Sequence, residues 1–458
     1  MSHLAIRSAQ GRWVLAATVL GSGLAMLDST VVNVALPYLG AELRTGMAGL
    51  QWTVNAYTLT LAGLILLGGS LGDRYGRRRV FLVGTVWFAW ASALCGLAPN
   101  IEFLVAARAL QGVGGALLTP GSLAIIQASF DRADRPRAIG VWSGLGGVAS
   151  AVGPLLGGLM VQTVGWRWAF LINLPFAALV VLVTARHVPE SRDESATGRF
   201  DVLGAALAAL ALAGITYGLI ELGAPVVLGA GVALGVAFVW LERRRSPDAL
   251  VPVRLFRSRV FSAVNVVTLI MYGAMGVVFF LLAVQLIVVS GFTPVAAASA
   301  LLPVTVLMLV LSPRAGDLAK RVGPRLPMTC GIALAGVGFV WMSTIGPGAS
   351  YVLQVLPAVT VFGLGLSAAV APLTATVLAT VDDRYAGTAS GINNAVARTG
   401  GLLAVAAVPP LVGLVGDAFQ NAPVFDAGFR QAMLISAGMM AVAALITAVS
   451  IRENVLRT

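Results

Sequence analysis

Apolar runs of about twenty residues recur along this chain, separated by short polar links. An α-helix needs a run of that length to cross hydrocarbon. Fourteen segments qualify, at approximately 13–37, 50–71, 80–98, 102–127, 138–162, 167–186, 202–222, 226–241, 260–289, 297–313, 327–345, 352–379, 386–415 and 431–450. The eighth is the shortest of them. Backbone groups inside a bilayer must be satisfied within the spanning element, so continuous apolar runs of this length predict helices. The expected fold class is an all-α polytopic membrane protein with fourteen transmembrane helices.

The arginines orient these spans. Alternate connections hold Arg74 and Arg77–Arg79, then Arg132, Arg135 and Arg137, then Arg186, Arg192 and Arg199, and so on to Arg452 and Arg457. The opposite connections hold only Arg44, Arg167 and Arg430. Basic residues accumulate on the cytoplasmic side, so both termini are expected there, with an even number of spans between them. The expected location is a bacterial inner (cytoplasmic) membrane, crossed many times. The stretch before the first span is short and basic, and that span is too long for a signal-peptide core, so it is expected to remain as a helix.

Composition agrees and narrows the chemistry. The chain is 58% apolar and 11% charged over 458 residues, where a soluble chain carries roughly a quarter charged residues. The net charge of +11 is spread over short loops and gathers on no one domain, so no nucleic-acid partner is expected. Cys95 and Cys330 lie in apolar segments, and the histidines, His3 and His187, lie in polar ones. That leaves no metal-ligand spacing, no expected cofactor and no material for an embedded enzyme.

An internal repeat is visible. Residues 316–331 keep Gly, Leu, Arg, Gly, Arg and Gly in register with residues 69–84, at an offset of 247, with Lys320 standing where Asp73 does. Two six-helix halves need an offset of only about 200 residues, at roughly 33 residues per span and link. The excess matches two further apolar runs near 200–245. The expected domains are an N-terminal six-helix bundle (1–186), a linker with two inserted helices (187–259) and a C-terminal six-helix bundle (260–458).

Residues 69–79 read Gly-Ser-Leu-Gly-Asp-Arg-Tyr-Gly-Arg-Arg-Arg between two apolar runs. So many charges cannot lie in hydrocarbon, so a loop at the membrane face is expected. The segment resembles the link between the second and third helices of major facilitator superfamily transporters, matching Gly-x-Leu-x-Asp-Arg-x-Gly-Arg-Arg at every fixed position. That resemblance implies the major facilitator fold and a conformational gate at Gly69, Asp73, Arg74, Gly76, Arg77 and Arg78.

Asp28 is the one acidic residue well inside a drawn span, and burying it costs a few kcal/mol. Desolvation favours its protonated form, which makes it a candidate proton carrier. The segment Leu27-Asp28-Ser29-Thr30-Val31-Val32-Asn33-Val34-Ala35-Leu36-Pro37 resembles the first-helix signature of fourteen-span drug:proton antiporters. Leu104–Ala116, with Arg108, resembles the fourth-helix motif of proton-coupled members. Counting from the outer ends of their spans, Asp28 and Arg108 differ in depth by about 5 Å. They can therefore face each other directly or through water, and a cation there opposes the desolvation. A static tie is the structural alternative for both.

Gly153, Pro154, Gly157 and Gly158 resemble the antiporter motif of the fifth helix, although Ala149 replaces a family glycine and close helix packing explains the glycines equally well. Gln51-Trp52 with Tyr57, and Trp166–Phe170 leading to Asn173 and Pro175, look like the same fourteen-span group. So does the stretch Ala386–Gly401, with Arg398 near mid-depth. Trp52, Tyr57, Asn33 and Arg398 are the candidate walls of a substrate cavity. The seventh core span carries no acid, and the acids beyond it fall in expected loops. Together the resemblance implies a monomeric exporter of amphipathic small molecules or drugs, driven by protons, working in the lipid bilayer by alternating access. Export of a lipid or biosynthetic metabolite on the same fold is the alternative.

Overall fold

The computed structural model describes residues 4–131, 133–192, 201–245, 251–381 and 385–453. Within the expected linker, residues 193–200 and 246–250 lie outside the described residues. Thirteen helices are long and apolar enough to cross a membrane: α1 (Ala9–Glu42), α2 (Met47–Tyr75), α3 (Arg77–Gly96), α4 (Ile101–Ser129), α5 (Arg137–Thr163), α6 (Trp168–His187), α7 (Val202–Ile220), α8 (Pro225–Arg244), α9 (Arg259–Val289), α10 (Pro294–Val322), α11 (Arg325–Met342), α12 (Tyr351–Ala379) and α14 (Ala422–Ser450). Between the last two, α13 (Ala386–Leu411) is the fourteenth long helix, less apolar because it carries Asn393, Asn394 and Arg398. The single bridge of Leu4 with Phe130 is the one β-type pairing among the described residues.

Two corrections concern helix ends. The basic hinge is not a loop. Helix α2 runs on to Tyr75 and α3 begins at Arg77, so Gly76 alone turns the chain, at φ 108°. Only glycine takes that backbone conformation without steric cost. The charged residues stay helical, with Asp73 and Arg77 paired across the turn at 2.8 Å.

The second correction is at α14, which starts at Ala422, well before position 431. Asn421 caps it by accepting from Val424 N–H, with a proline in the first turn. Asp426 is therefore inside a helix, as is Asp317 in α10, and not in loops. A hydropathy window ends a span at its first charges; a capped helix does not.

The chain divides into two compact units, Met1–Arg44 with Trp52–Leu210, and Thr45–Gln51 with Ala211–Thr458. Inside the first, α3 packs on α4 and α6, and α1 packs on α4, α5 and α6. Inside the second, α11 packs on α12 and α14, and α9 packs on α13 and α14. The pairings α3–α4, α1–α5, α3–α6 and α1–α6 thus recur as α11–α12, α9–α13, α11–α14 and α9–α14. The inserted helices α7 and α8 lean on each other through Gly214 and Gly231, where a Cβ on Gly214 would sit 2.9 Å from the facing Cα.

Candidate functional site

Asp28, on α1, is completely buried and is met by three donors. Arg108 Nη1 donates to its Oδ2 at 2.6 Å. Gln111 Nε2 and Asn173 Nδ2 each donate to its Oδ1 at 2.8 Å. Arg108 and Gln111 lie three residues apart on α4, hence on one face of it. Ser92 on α3 closes the ring, accepting from Gln111 Nε2 at 2.7 Å and from Asn173 Nδ2 at 3.3 Å. The Gln111 amide orientation follows from its partners, since its nitrogen faces two oxygens and its Oε1 accepts from Arg108 at 2.5 Å.

Arg108 is held from every side. Its Nε donates to the carbonyl of Thr53 on α2 at 2.9 Å. Its guanidinium carbon lies 4.5 Å from the centre of the Tyr57 ring and 5.6 Å from that of Phe170. Five helices of the first unit, α1, α2, α3, α4 and α6, thus converge on one ion pair, with exposures of 1% for Arg108 and 0% for Asp28. Removing one partner of such a pair strands the other charge, at about 3–5 kcal/mol.

Helix α5 braces this region through its glycines. A Cβ on Gly153 would lie 2.1 Å from Thr30 Oγ1, and one on Gly157 would lie 3.0 Å from Val31 O. Leu27, Thr30 and Val31 flank Asp28 in sequence, so the close approach of α5 fixes the stretch of α1 that carries the carboxylate. Pro154 lies inside α5 between these contacts, and Gly158 is buried beside them.

A second arrangement surrounds the Gly76 turn. Asp73 Oδ1 accepts from Arg77 at both Nε, 2.9 Å, and Nη2, 2.8 Å. Arg77 N–H donates to Ser191 O at 2.9 Å. Glu190 caps the start of α3, accepting from Arg78 N–H at 3.1 Å and Arg79 N–H at 3.2 Å. Arg78 Nη2 reaches Ala185 O at 2.5 Å. The segment after α6 therefore clamps the turn between α2 and α3. Gly69 lies on α2 facing Pro120, and Arg74 ends that helix with its guanidinium 5.9 Å from the Tyr75 ring centre.

The comparisons with known proteins decide what this arrangement belongs to. The family model of the Major Facilitator Superfamily matches residues 18–405. The chain belongs to the Major Facilitator Superfamily. Its relatives include the multidrug resistance protein Stp of Mycobacterium tuberculosis (strain CDC 1551 / Oshkosh), 36% identical over 86% of this chain and 74% of the relative. The tetracenomycin C resistance and export protein of Streptomyces glaucescens is 34% identical over 92% and 80%. The puromycin resistance protein pur8 of Streptomyces alboniger is 36% identical over 86% and 80%. A POT family transporter crystallised with 5-aminolevulinic acid shares the fold at a TM-score of 0.73 and 13% identity, over 94% of both chains.

In this facilitator the residues singled out from sequence fall into two groups. Asp28, Arg108 and Tyr57 are brought together, with Asn173, as are the residues of the Gly76 turn. Trp52 is half-buried in the first unit, and Asn33 is half-buried on α1 with its Oδ1 buried and lacking a hydrogen-bond partner. Arg398 belongs to the second unit, where its Nε donates to Asn394 Oδ1 at 3.0 Å. Sequence reasoning missed Ser92, Gln111 and Glu190 as functional positions. Gln111 stood within the quoted fourth-helix stretch, and its spacing from Arg108 was the available signal. Ser92 and Glu190 carry no such signal, since their partners are distant in sequence.

Proposed function

We propose that this facilitator exports amphipathic small molecules across the cytoplasmic membrane in exchange for protons. Its family makes it a membrane transporter; the cargo and the driving ion are the proposal. The observation that carries the proton part is the sealed pair of Asp28 and Arg108. With Asp28 ionised, its oxygens are satisfied by Arg108, Gln111 and Asn173. With Asp28 protonated, Arg108 keeps Thr53 O, Gln111 Oε1 and the Tyr57 face. The charge on the carboxylate thus selects between a locked pair and a loosened one. A proton that biases two conformations in this way supplies the coupling that alternating access needs.

In the orientation proposed here, the termini and the Gly76 turn face the cytoplasm. Asp73, Arg74, Arg77, Arg78 and Glu190 form and break the gate in each cycle. The drug part rests on the relatives named for multidrug resistance and for puromycin resistance. A second reading, export of a self-made metabolite, is favoured by relatives named for export of tetracenomycin C and of cephamycin.

Transport of a dye and antibiotic panel in inverted vesicles, with and without an imposed pH gradient, tests the proposal. Uphill movement of at least one compound that collapses with the gradient is expected. Gradient-independent movement of every compound defeats the proton coupling. Impermeant labelling of a cysteine placed at Tyr75 in intact cells would defeat the orientation.

A further inference from the structure

The seam between α3 and α6 carries a groove of about 560 Å³, lined by Val83, Val86, Trp87 and Trp90 on one side and Val181 and Ala185 on the other. On α3 these positions follow i, i+3, i+4 spacing and so form one helix face. One turn back, that face carries Arg79, the arginine that follows the gate motif, with Arg78 next to it in the chain. The bond from Arg78 to Ala185 O fixes this end of the groove as its basic end. Arg79 has an 80% exposed side chain, 3.7 Å from Glu190. Arg186, next to Ala185, is also exposed.

Length and charge together say what fits. From Arg79 to Trp90 is roughly 16 Å of helix at 1.5 Å per residue. One leaflet is half of a ~30 Å hydrocarbon core, or about 15 Å. The groove therefore spans one leaflet, with cations at the headgroup level and indoles towards the midplane. Trp87 Nε1 is already committed to Leu110 O at 2.8 Å, so its ring offers the groove an apolar surface. We propose that this groove binds one anionic phospholipid, its acyl chain along Val83, Val86, Trp87 and Trp90 and its phosphate on Arg79 and Arg186. With the Gly76 turn cytoplasmic, as proposed above, the lipid belongs to the inner leaflet; the binding itself does not depend on that orientation.

Trp87 and Trp90 report occupancy directly. Tryptophan quenching is measured for the full chain in nanodiscs containing either brominated phosphatidylglycerol or brominated phosphatidylethanolamine. The same measurement on a Trp87→Phe/Trp90→Phe variant isolates the groove's share. The expected result is an apparent affinity about five-fold higher for the anionic lipid per contributing arginine, the ratio that corresponds to ~1 kcal/mol per basic residue at an anionic surface. Arg79→Gln should lose that factor and Arg79→Lys should keep it, while Ala185→Leu should weaken both lipids by filling the groove. Equal quenching by the two headgroups overturns the proposal, as does an anionic preference that survives Arg79→Gln. Absence of groove quenching by either lipid also overturns it, and shows the face to be covered by protein.

Discussion

Gly84 on α3 and Gly331 on α11 lie 247 residues apart and make the same contact. A Cβ on Gly84 would meet Gly114 O at 3.1 Å, and one on Gly331 would meet Gly365 O at 2.7 Å. Gly114 in turn faces the backbone of Phe88, as Gly365 faces that of Ala335, again 247 further on. The two helix pairs are one design used twice, with backbones in contact through small residues. Two turns along, the halves diverge. Ser92 and Gln111, hydrogen-bonded at 2.7 Å in the first, become Phe339 and Phe362, with ring centres 5.0 Å apart, in the second. By the same register Arg108 becomes the fully buried Val359. Backbone packing dictates which helices meet; what lies between them is free to be an ion-pair network or an apolar core. The first unit therefore carries the buried ion pair, and the second repeats its frame without that pair.

The Gly76 turn has its own counterpart. Gly323, at φ 88°, follows α10 and would press a Cβ to 2.3 Å from Glu453 O. Arg325 lies 3.8 Å from Glu453, where Arg78 and Arg79 meet Glu190. The register positions of Asp73 and Arg77 are Lys320 and Pro324, so that pair has no counterpart; Lys320 turns instead to Asp317 at 3.2 Å, with both side chains 70% exposed. The second turn keeps the glycine and the glutamate but loses the two-pronged pair.

The largest expected effect breaks this asymmetry at its centre. Asp28→Asn should abolish uphill, gradient-driven efflux while neutral compounds still bind, measured as substrate-induced proton release and accumulation in inverted vesicles. Uphill pumping by that variant with an unchanged pH dependence would place coupling elsewhere, with Asp426 on α14 next in line. Arg108→Met should destabilise the protein by about 3–5 kcal/mol, by leaving Asp28 charged and unpaired. Thermal unfolding in detergent reads this, and the double variant Asp28→Asn/Arg108→Met should recover most of the loss.

Phe362→Ala sharpens the other side. It should cost a similar ~3–5 kcal/mol through the cavity it leaves, yet leave the pH dependence of transport as it was. A shifted pH profile would mean that the second unit also holds the coupling machinery. Gly114→Ala and Gly365→Ala should each cost about 1–3 kcal/mol, and by similar amounts, because both force a methyl against backbone. Unequal losses would argue against the common frame. The smallest effect is at the turn. Glu190→Gln should weaken the cap on α3 by roughly 0.3–1 kcal/mol at low salt, seen as faster amide exchange at Arg78 and Arg79 with insertion intact.

Much of this was legible in the chain. Fourteen long helices follow from run length, and the repeat at an offset of 247 announced the duplicated frame. Asp28 and Arg108 stood out because charge in an apolar run is costly and therefore selected for a partner. The ends of the spans were harder to read, since a capped helix continues through charges, as α14 does from Ala422 and α2 does to Tyr75. Glu190 gave no sign either. Its partners are the backbone N–H groups of Arg78 and Arg79, and every residue but proline has such a group to offer.

What the sequence alone determined is where helices cross and which of them could carry a charge, because transfer from water to hydrocarbon acts on each residue by itself. Which charge meets which donor was settled only by tertiary structure. Gln111, Asn173 and Ser92 surround Asp28 because glycines at 84, 114, 153 and 157 let their backbones close to contact distance. That closeness depends on the shapes of two surfaces at once, and no single stretch of chain contains both.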